Sequence, residues 1–380
     1  MLTKTQAYDI IFLKYEESLI IGGKMTNKSF LARKGVNISA KVYFVDAMGG
    51  MAQGLFASLL IGTILSTLAT YVGKLDGSFF ASVSAFIREI STVAKTVTGA
   101  AIGVGIAAAL GAPMLVIACV AAIGQFANAY GTAEYQAGPL GVFVAVIIAC
   151  ELGKIVSKET KVDILVTPLV TLTSGYLAAY FACPFIARGM NLLGTFINDA
   201  TTLHPFSMGI VVSVAVGIIL TLPISSAAIC ASIGISGIAG GAALAGCCAQ
   251  MVGFAVASFR ENKWSGVISQ GLGTSMLQMP NIIRHPQIWL PATLASAITG
   301  PISTMIFRLE CTGVSAGMGT CGLVGPLGAV SAMTESGTLD SFAWVGIVLI
   351  CIVLPALFSL LISELMRALH IIKPGQMSLE

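Results

Sequence analysis

The stretch Cys311–Glu335, CTGVSAGMGTCGLVGPLGAVSAMTE, decides how this chain is interpreted. It is apolar, yet it holds too many glycines for an ordinary membrane helix. Part of it occurs twice in the chain. The first copy has GT at 131–132, five further residues and GPLG at 138–141, and the second has GT at 319–320, four residues and GPLG at 325–328. Two such interruptions in a membrane protein are typical of a solute site between broken helices.

The composition places the chain in a membrane. Hydrophobic residues make up 56% and charged residues 10% of the 380 residues, and the mean hydropathy is +0.92. Charge-free runs reach the roughly 20 residues that a spanning helix needs; they cover 47–73, 96–133, 164–187, 205–259 and 341–363. The sequence therefore predicts an all-α polytopic membrane protein with eight to ten transmembrane helices, one or two re-entrant hairpins and an internal repeat.

Charge and proline divide the chain further. We expect residues 1–46 to form a cytoplasmic or interfacial segment without a cleavable signal, because they carry seven basic residues against four acids. Residues 47–366 form the predicted transmembrane domain, and residues 367–380 a cytoplasmic tail. Pro113 predicts a bend, and the pairs Gly99/Gly103 and Gly237/Gly241 predict close helix contacts. The polar-dotted run 264–283 suits a re-entrant hairpin or a cavity-lining helix.

The repeated motif supplies the first candidate solute ligands. Glu134 and Gln136 lie inside the first copy, where a carboxylate and an amide on irregular backbone can bind sugar hydroxyls. Gly138 and Thr320 belong to the two copies themselves, and glycine there lets backbone approach a solute. Glu335 follows the second copy. For the two carboxylates the alternative is a residue of an exposed loop.

Histidines and amides complete the candidate set. His204 and His285 each precede a proline at the start of an apolar run, where imidazole can bind solute, relay protons or accept phosphate; an ordinary interfacial role is equally compatible. Asn281 is one of four amide side chains that lie in apolar surroundings. The others are Asn128, Gln250 and Gln278. Hydrogen bonds between helices are the alternative explanation for them.

Several classes of site are not indicated. The sequence holds no GxxxxGK[ST] phosphate loop, no HExxH and no CxxC, so we expect no ATP hydrolysis, no metal and no cofactor. The nine cysteines lie in apolar segments and are interpreted as small buried hydrophobes. The sequence shows no basic surface with interleaved aromatic residues, so nucleic-acid binding is not indicated. We assign no catalytic residue.

Three segments resemble the membrane-embedded IIC component of bacterial sugar phosphotransferase systems. They are GKIVSKETKVDILVTPLVTLTSGY at 153–176, the two GPLG motifs, and ISTMIFRLECTGVSAGMGTCGLVGPLGAVSAM at 302–333. The resemblance extends over about 47–365, and it is nearest to the branch that includes the perfringolysin O regulator.

This resemblance implies a homodimer in the bacterial cytoplasmic membrane that binds a sugar at a site built partly from re-entrant hairpins. Separate IIA and IIB proteins would supply the phosphoryl group, since the chain resembles neither, and the chain would be at most the membrane component of a sugar phosphotransferase. Better studied branches place a glutamate in a GITE-like motif, which Gly131-Thr132-Ala133-Glu134 matches imperfectly. Two other functions remain open: a membrane sensor that binds a solute without transport, and a secondary transporter driven by protons or sodium.

Overall fold

The computed structural model describes residues 30–131 and 136–379. The chain divides into two compact units, residues 1–37 and 38–380. Of the first unit, only 30–37 are described, and they hold the short helix α1 (Phe30–Arg33). All features below belong to the second unit. Glu134 lies in the stretch 132–135, outside the described residues.

The second unit is helical, which confirms the all-α polytopic prediction. Among the described residues, six helices are long and apolar enough to cross a membrane: α2 (Val42–Val72), α6 (Gly138–Val156), α7 (Asp163–Ala200), α10 (Gly237–Ala257), α13 (Pro286–Phe307) and α16 (Ser341–Ala368). The pair α3 (Ser78–Thr96) and α4 (Thr98–Ala109), which meet at 55°, passes the same test only when the two are taken together, as a broken span or a re-entrant loop. The predicted eight to ten also counted the runs that form two shorter apolar helices, α5 (Met114–Ala129) and α8 (Pro205–Thr221).

Shorter helices connect these elements. They are α9 (Ser226–Ser232), α11 (Phe259–Ile268), α12 (Met279–Arg284), α14 (Gly313–Ala316) and α15 (Val324–Glu335). Between α11 and α12 the chain forms a wide π-helical turn, Ser269–Gly273, and a 3-10 turn, Ser275–Gln278. These two turns interrupt the run 264–283, for which the sequence predicted a re-entrant hairpin or a cavity-lining helix.

Small residues let the helices approach closely, as the sequence predicted for α4. A Cβ added at Gly99 would lie 2.5 Å from the Gly124 carbonyl oxygen, so α4 and α5 pack backbone to backbone. On α10, Gly241 also allows a close backbone approach, but its neighbour is the non-helical Leu309, whose oxygen an added Cβ would meet. Gly237 has a different role. It begins the helix at φ +58°, with nothing within 4 Å of an added Cβ.

Buried side chains form two main cores. One includes Ile102, Val142 and Phe254, and the other includes Val212, Leu244 and Ile350. The 38-residue helix α7 contributes to both, with Cys183 in the first core and Ile197 in the second. This helix therefore ties the two halves of the bundle together.

The two copies of the repeated motif form tips between helices. In the first, between α5 and α6, Gly131 and Gln136 form an antiparallel bridge, and Gly138 has φ +58°. In the second, Gly319 and Gly322 have φ +55° and +52° just before α15. A left-handed backbone is readily adopted by glycine, which explains why both tips are glycine-rich. The stretch Cys311–Glu335 is thus a broken element and not a straight helix.

The residues after α16 are packed against the domain. Met377 is fully buried, and its carbonyl oxygen accepts hydrogen bonds from Asn262 Nδ2 at 2.7 Å and Gln278 Nε2 at 2.9 Å. A buried ion pair joins Arg367 Nη1 to Glu261 Oε1 at 2.9 Å beside it. The segment 372–379 that the sequence analysis treated as a tail is therefore docked on the 259–287 region.

Candidate functional site

A cavity of about 230 Å³ lies where the two glycine-rich tips meet. The first tip contributes Gln136 and Gly138, the end of α5 contributes Asn128, and the second tip contributes Met318 and Cys321. The rest of the wall comes from four further elements. They are α2 with Leu55, Leu59 and Leu60, the α3–α4 break with Lys95 and Thr98, the α8–α9 turn with Ser225 and Ser226, and the inner turn (residues 269–274) with Gly273 and Thr274. Both copies of the motif thus contribute to one site.

Local sequence explains the irregular backbone at each wall. Pro139 lies in the first turn of α6, where its missing N–H costs no helix hydrogen bond. Ser225 caps α9 by accepting a hydrogen bond from Ala228 N at 3.2 Å. Thr274 accepts one from Met276 N at 3.2 Å and so begins the 3-10 turn. These caps replace helix hydrogen bonds that the breaks remove.

Contacts between the walls hold them in register. Ser226 Oγ donates to the Gly317 oxygen at 2.7 Å, which joins the α8–α9 turn to the second tip. Thr320 Oγ1 donates to the Gly271 oxygen at 2.5 Å, which joins the second tip to the inner turn. Thr320 is buried. This predicted site residue therefore supports the cavity from behind.

The amides of Asn128 and Gln136 are, together with the Lys95 ammonium, polar side-chain groups of the cavity wall. Within the described part of the chain, neither side chain forms a hydrogen bond, whereas Ser226 donates to Gly317 and Thr98 Oγ1 donates to the Lys95 oxygen at 2.7 Å. An amide offers both donor and acceptor atoms, which is what a solute hydroxyl requires. Gln136 and Gly138, predicted from the sequence, both line this cavity.

Four other predicted residues lie elsewhere. His204 is exposed and caps α8 by accepting from Phe206 N at 3.4 Å. Glu335 is exposed at the end of α15, in a separate groove that Lys74 also lines. Asn281 and His285 face the docked segment. Asn281 Nδ2 donates to the Ser378 oxygen at 2.7 Å and to Gln278 Oε1 at 2.9 Å, and His285 Nδ1 lies 3.4 Å from Gln376 Nε2.

Of the two remaining amides, Gln250 joins helices to one another, as the alternative explanation held, whereas Gln278 binds the neighbouring turn and the docked segment. Gln250 is fully buried, and its Oε1 accepts from Thr221 Oγ1 at 3.1 Å and Trp289 Nε1 at 3.0 Å. Gln278 Nε2 donates to Gln270 Oε1 at 3.0 Å. Their hydrogen-bonding capacity is largely used within the protein.

The candidate set predicted from the sequence did not include Lys95 and Thr98, which lie where the charge-free run 96–133 begins. The available signal was the charge itself, since a lysine that directly precedes a long apolar run can be carried into the bundle. The hydroxyls of the α8–α9 turn carried a weaker signal, the turn-prone sequence Pro223-Ile224-Ser225-Ser226.

Comparison with known proteins gives one match. A family model described as "Phosphotransferase system, EIIC" matches residues 45–379. No curated protein matches the chain, and no solved structure does. The matched region includes both copies of the motif and every wall of the cavity.

Proposed function

The chain belongs to the EIIC family of the phosphotransferase system, a family of membrane permeases, and we propose that it binds and translocates a sugar through the cavity between its two glycine-rich tips. The observation that carries this proposal is the pair of unengaged amides, Asn128 and Gln136, in a cavity of about 230 Å³. That volume is below the roughly 300–1,000 Å³ of sites for drug-sized ligands, and so suits a monosaccharide.

Glu134 belongs to the proposed site by its place in the sequence. It stands two residues before Gln136, in the stretch 132–135 that connects two ends of the described chain. A carboxylate accepts hydrogen bonds from neighbouring sugar hydroxyls, which the amides alone do less strongly. We expect Glu134→Gln to weaken sugar binding. Thr320 and Gly138 would keep the tips in position.

The phosphoryl group would come from separate IIA and IIB proteins. Of the nine cysteines, eight are buried and Cys119 is half-buried, so none stands exposed in the manner of a phosphate-carrying thiol. In this proposal the chain contributes solute binding, orientation and alternating access. It would work as a homodimer in the bacterial cytoplasmic membrane with its N-terminus inside.

The proposal is tested with purified protein in liposomes. Radiolabelled monosaccharides are offered from outside, with and without phosphorylated IIB protein inside, and both total and phosphorylated sugar are measured. We expect sugar phosphate to accumulate only with the IIB protein. Solute binding without any flux would instead favour a sensor, and uptake that depends on a proton or sodium gradient would favour a secondary transporter.

Two variants connect that activity to the cavity. Asn128→Ala and Gln136→Ala each remove an unengaged amide. We expect each to weaken sugar binding by about 10-fold, which corresponds to the upper end of the net contribution of one hydrogen bond between neutral groups. Asn198→Ala is the matched control, because Asn198 is exposed on α7 and does not line the cavity. Unchanged binding in both cavity variants would contradict the site.

A further inference from the structure

Lys95 is a half-buried cationic residue. It lies in the last turn of α3, beside the break to α4, and lines the cavity. A Cβ added at Gly62 would lie 2.7 Å from Lys95 Cγ, and Ser91 Oγ donates to the Gly62 oxygen at 2.7 Å. Gly62 belongs to the membrane-crossing helix α2, ten residues before its end at Val72. The absence of a side chain at Gly62 thus leaves room for the lysine stem within a span.

A charge in this position needs compensation. A lysine within a membrane span is costly, and such residues normally face a watery cavity and pair with another group. Among the described residues, the Lys95 ammonium has no ion pair and no hydrogen bond. The described cavity wall offers hydroxyls, amides and backbone groups, and none of its residues is a carboxylate. The described protein therefore leaves the positive charge unbalanced.

We propose that the occupant of the cavity supplies the balancing charge, so that the solute is an anionic sugar, a monosaccharide that carries a carboxylate such as a uronic or aldonic acid. This inference rests on the proposed function and names its substrate class. Lys95 would bind the carboxylate, and the amides of Asn128 and Gln136 would bind the hydroxyls. A charge-assisted hydrogen bond is about twice as strong as a neutral one, so Lys95 would dominate selectivity.

The competing arrangement is a neutral sugar with Glu134 as the counterion of Lys95. The two arrangements differ in which solute binds and in how the variants respond. With an anionic solute, Lys95→Met loses binding of the acid. With an internal pair, neutral sugars bind the wild-type protein, and both Lys95→Met and Glu134→Gln weaken them.

The test is equilibrium binding to detergent-purified protein. The probes are D-glucuronate, D-galacturonate and D-gluconate, each compared with D-glucose and D-galactose. We expect at least one acid to bind tighter than its neutral counterpart, Lys95→Met to weaken that acid about 10- to 100-fold, and Lys95→Arg to retain part of the affinity. Arg88→Met is the matched control, since Arg88 is exposed on the same helix and does not line the cavity.

The outcomes are separable. If neutral sugars bind as tightly as the acids and respond to Asn128→Ala but not to Lys95→Met, the proposed function holds and the anionic class is wrong. Loss of neutral sugar in both Lys95→Met and Glu134→Gln overturns the inference in favour of the internal pair. If no sugar of either kind binds, both proposals fail. Thermal stability of each variant identifies any loss that comes from unfolding, and Lys95→Arg then provides the deciding comparison.

Discussion

Deleting the Met377 side chain is expected to release the docked segment 372–379. The side chain is fully buried, and its backbone is held by hydrogen bonds of 2.7 and 2.9 Å from Asn262 and Gln278. Because these bonds prevent the backbone from moving into the space, Met377→Ala leaves a cavity. Such a deletion costs about 2–5 kcal/mol. We expect docking of the segment to bear this cost, because the deleted side chain belongs to the segment and is buried only while it is docked.

Hydrogen exchange measures that loss at a single amide. Leu379 N donates to Asn262 Oδ1 at 2.8 Å and is protected only while the segment is docked. A cost of about 2 kcal/mol corresponds to roughly 30-fold faster exchange, because 1.4 kcal/mol is a factor of ten. Ser378→Ala is the control, since that side chain is exposed and its carbonyl is retained. Wild-type exchange at Leu379 in the Met377→Ala protein would refute the reasoning.

Three further predictions concern the helix contacts. Gly246→Ala should lower the unfolding temperature or prevent folding, because the added Cβ would clash with the Ser213 backbone oxygen. Gly189→Ala should instead stabilise α7 by up to about 1 kcal/mol, because nothing lies within 4 Å of an added Cβ. If the two variants unfolded at the same temperature, both predictions would be wrong. Gln250→Met should lower the free energy of unfolding by about 1–3 kcal/mol, because its buried hydrogen-bond partners are left unsatisfied. Thermal unfolding followed with a thiol-reactive dye measures this loss, and a variant more stable than the wild type would contradict the prediction. Arg367→Met should lower the free energy of unfolding by about 3–5 kcal/mol, because Glu261 is left buried without its cation. The double variant Arg367→Met/Glu261→Met should recover most of this loss. If the losses of the two single variants simply added, the prediction would be wrong.

The sequence could predict part of the candidate site because two kinds of signal are local. Glycine spacing identified Gln136 and Gly138 together with the second tip, since left-handed backbone needs glycine wherever it occurs. Thr320 belonged to the same motif, but its role behind the cavity depends on Gly271, 49 residues away in the chain. No local pattern reports such a contact.

Polar residues in apolar runs were harder to assign. Asn128 and Asn281 have similar sequence surroundings, yet the first lines the cavity and the second donates to Ser378. An amide is stabilised equally by a solute and by another part of the protein, and only the fold decides which one is near. His285 illustrates the same limit through its contact with Gln376.

By itself, the sequence determined that this is an all-α membrane protein with two glycine-broken tips, because hydropathy and backbone preference act residue by residue. The tertiary structure decided that both tips line one cavity and that Lys95, which packs against Gly62, lines it too. It also decided that the side chains of Gln278 and Asn281 donate hydrogen bonds to the segment 372–379. The physical reason is that burial and hydrogen-bond partnership depend on distances across the fold, whereas helix breaks depend on the local chain.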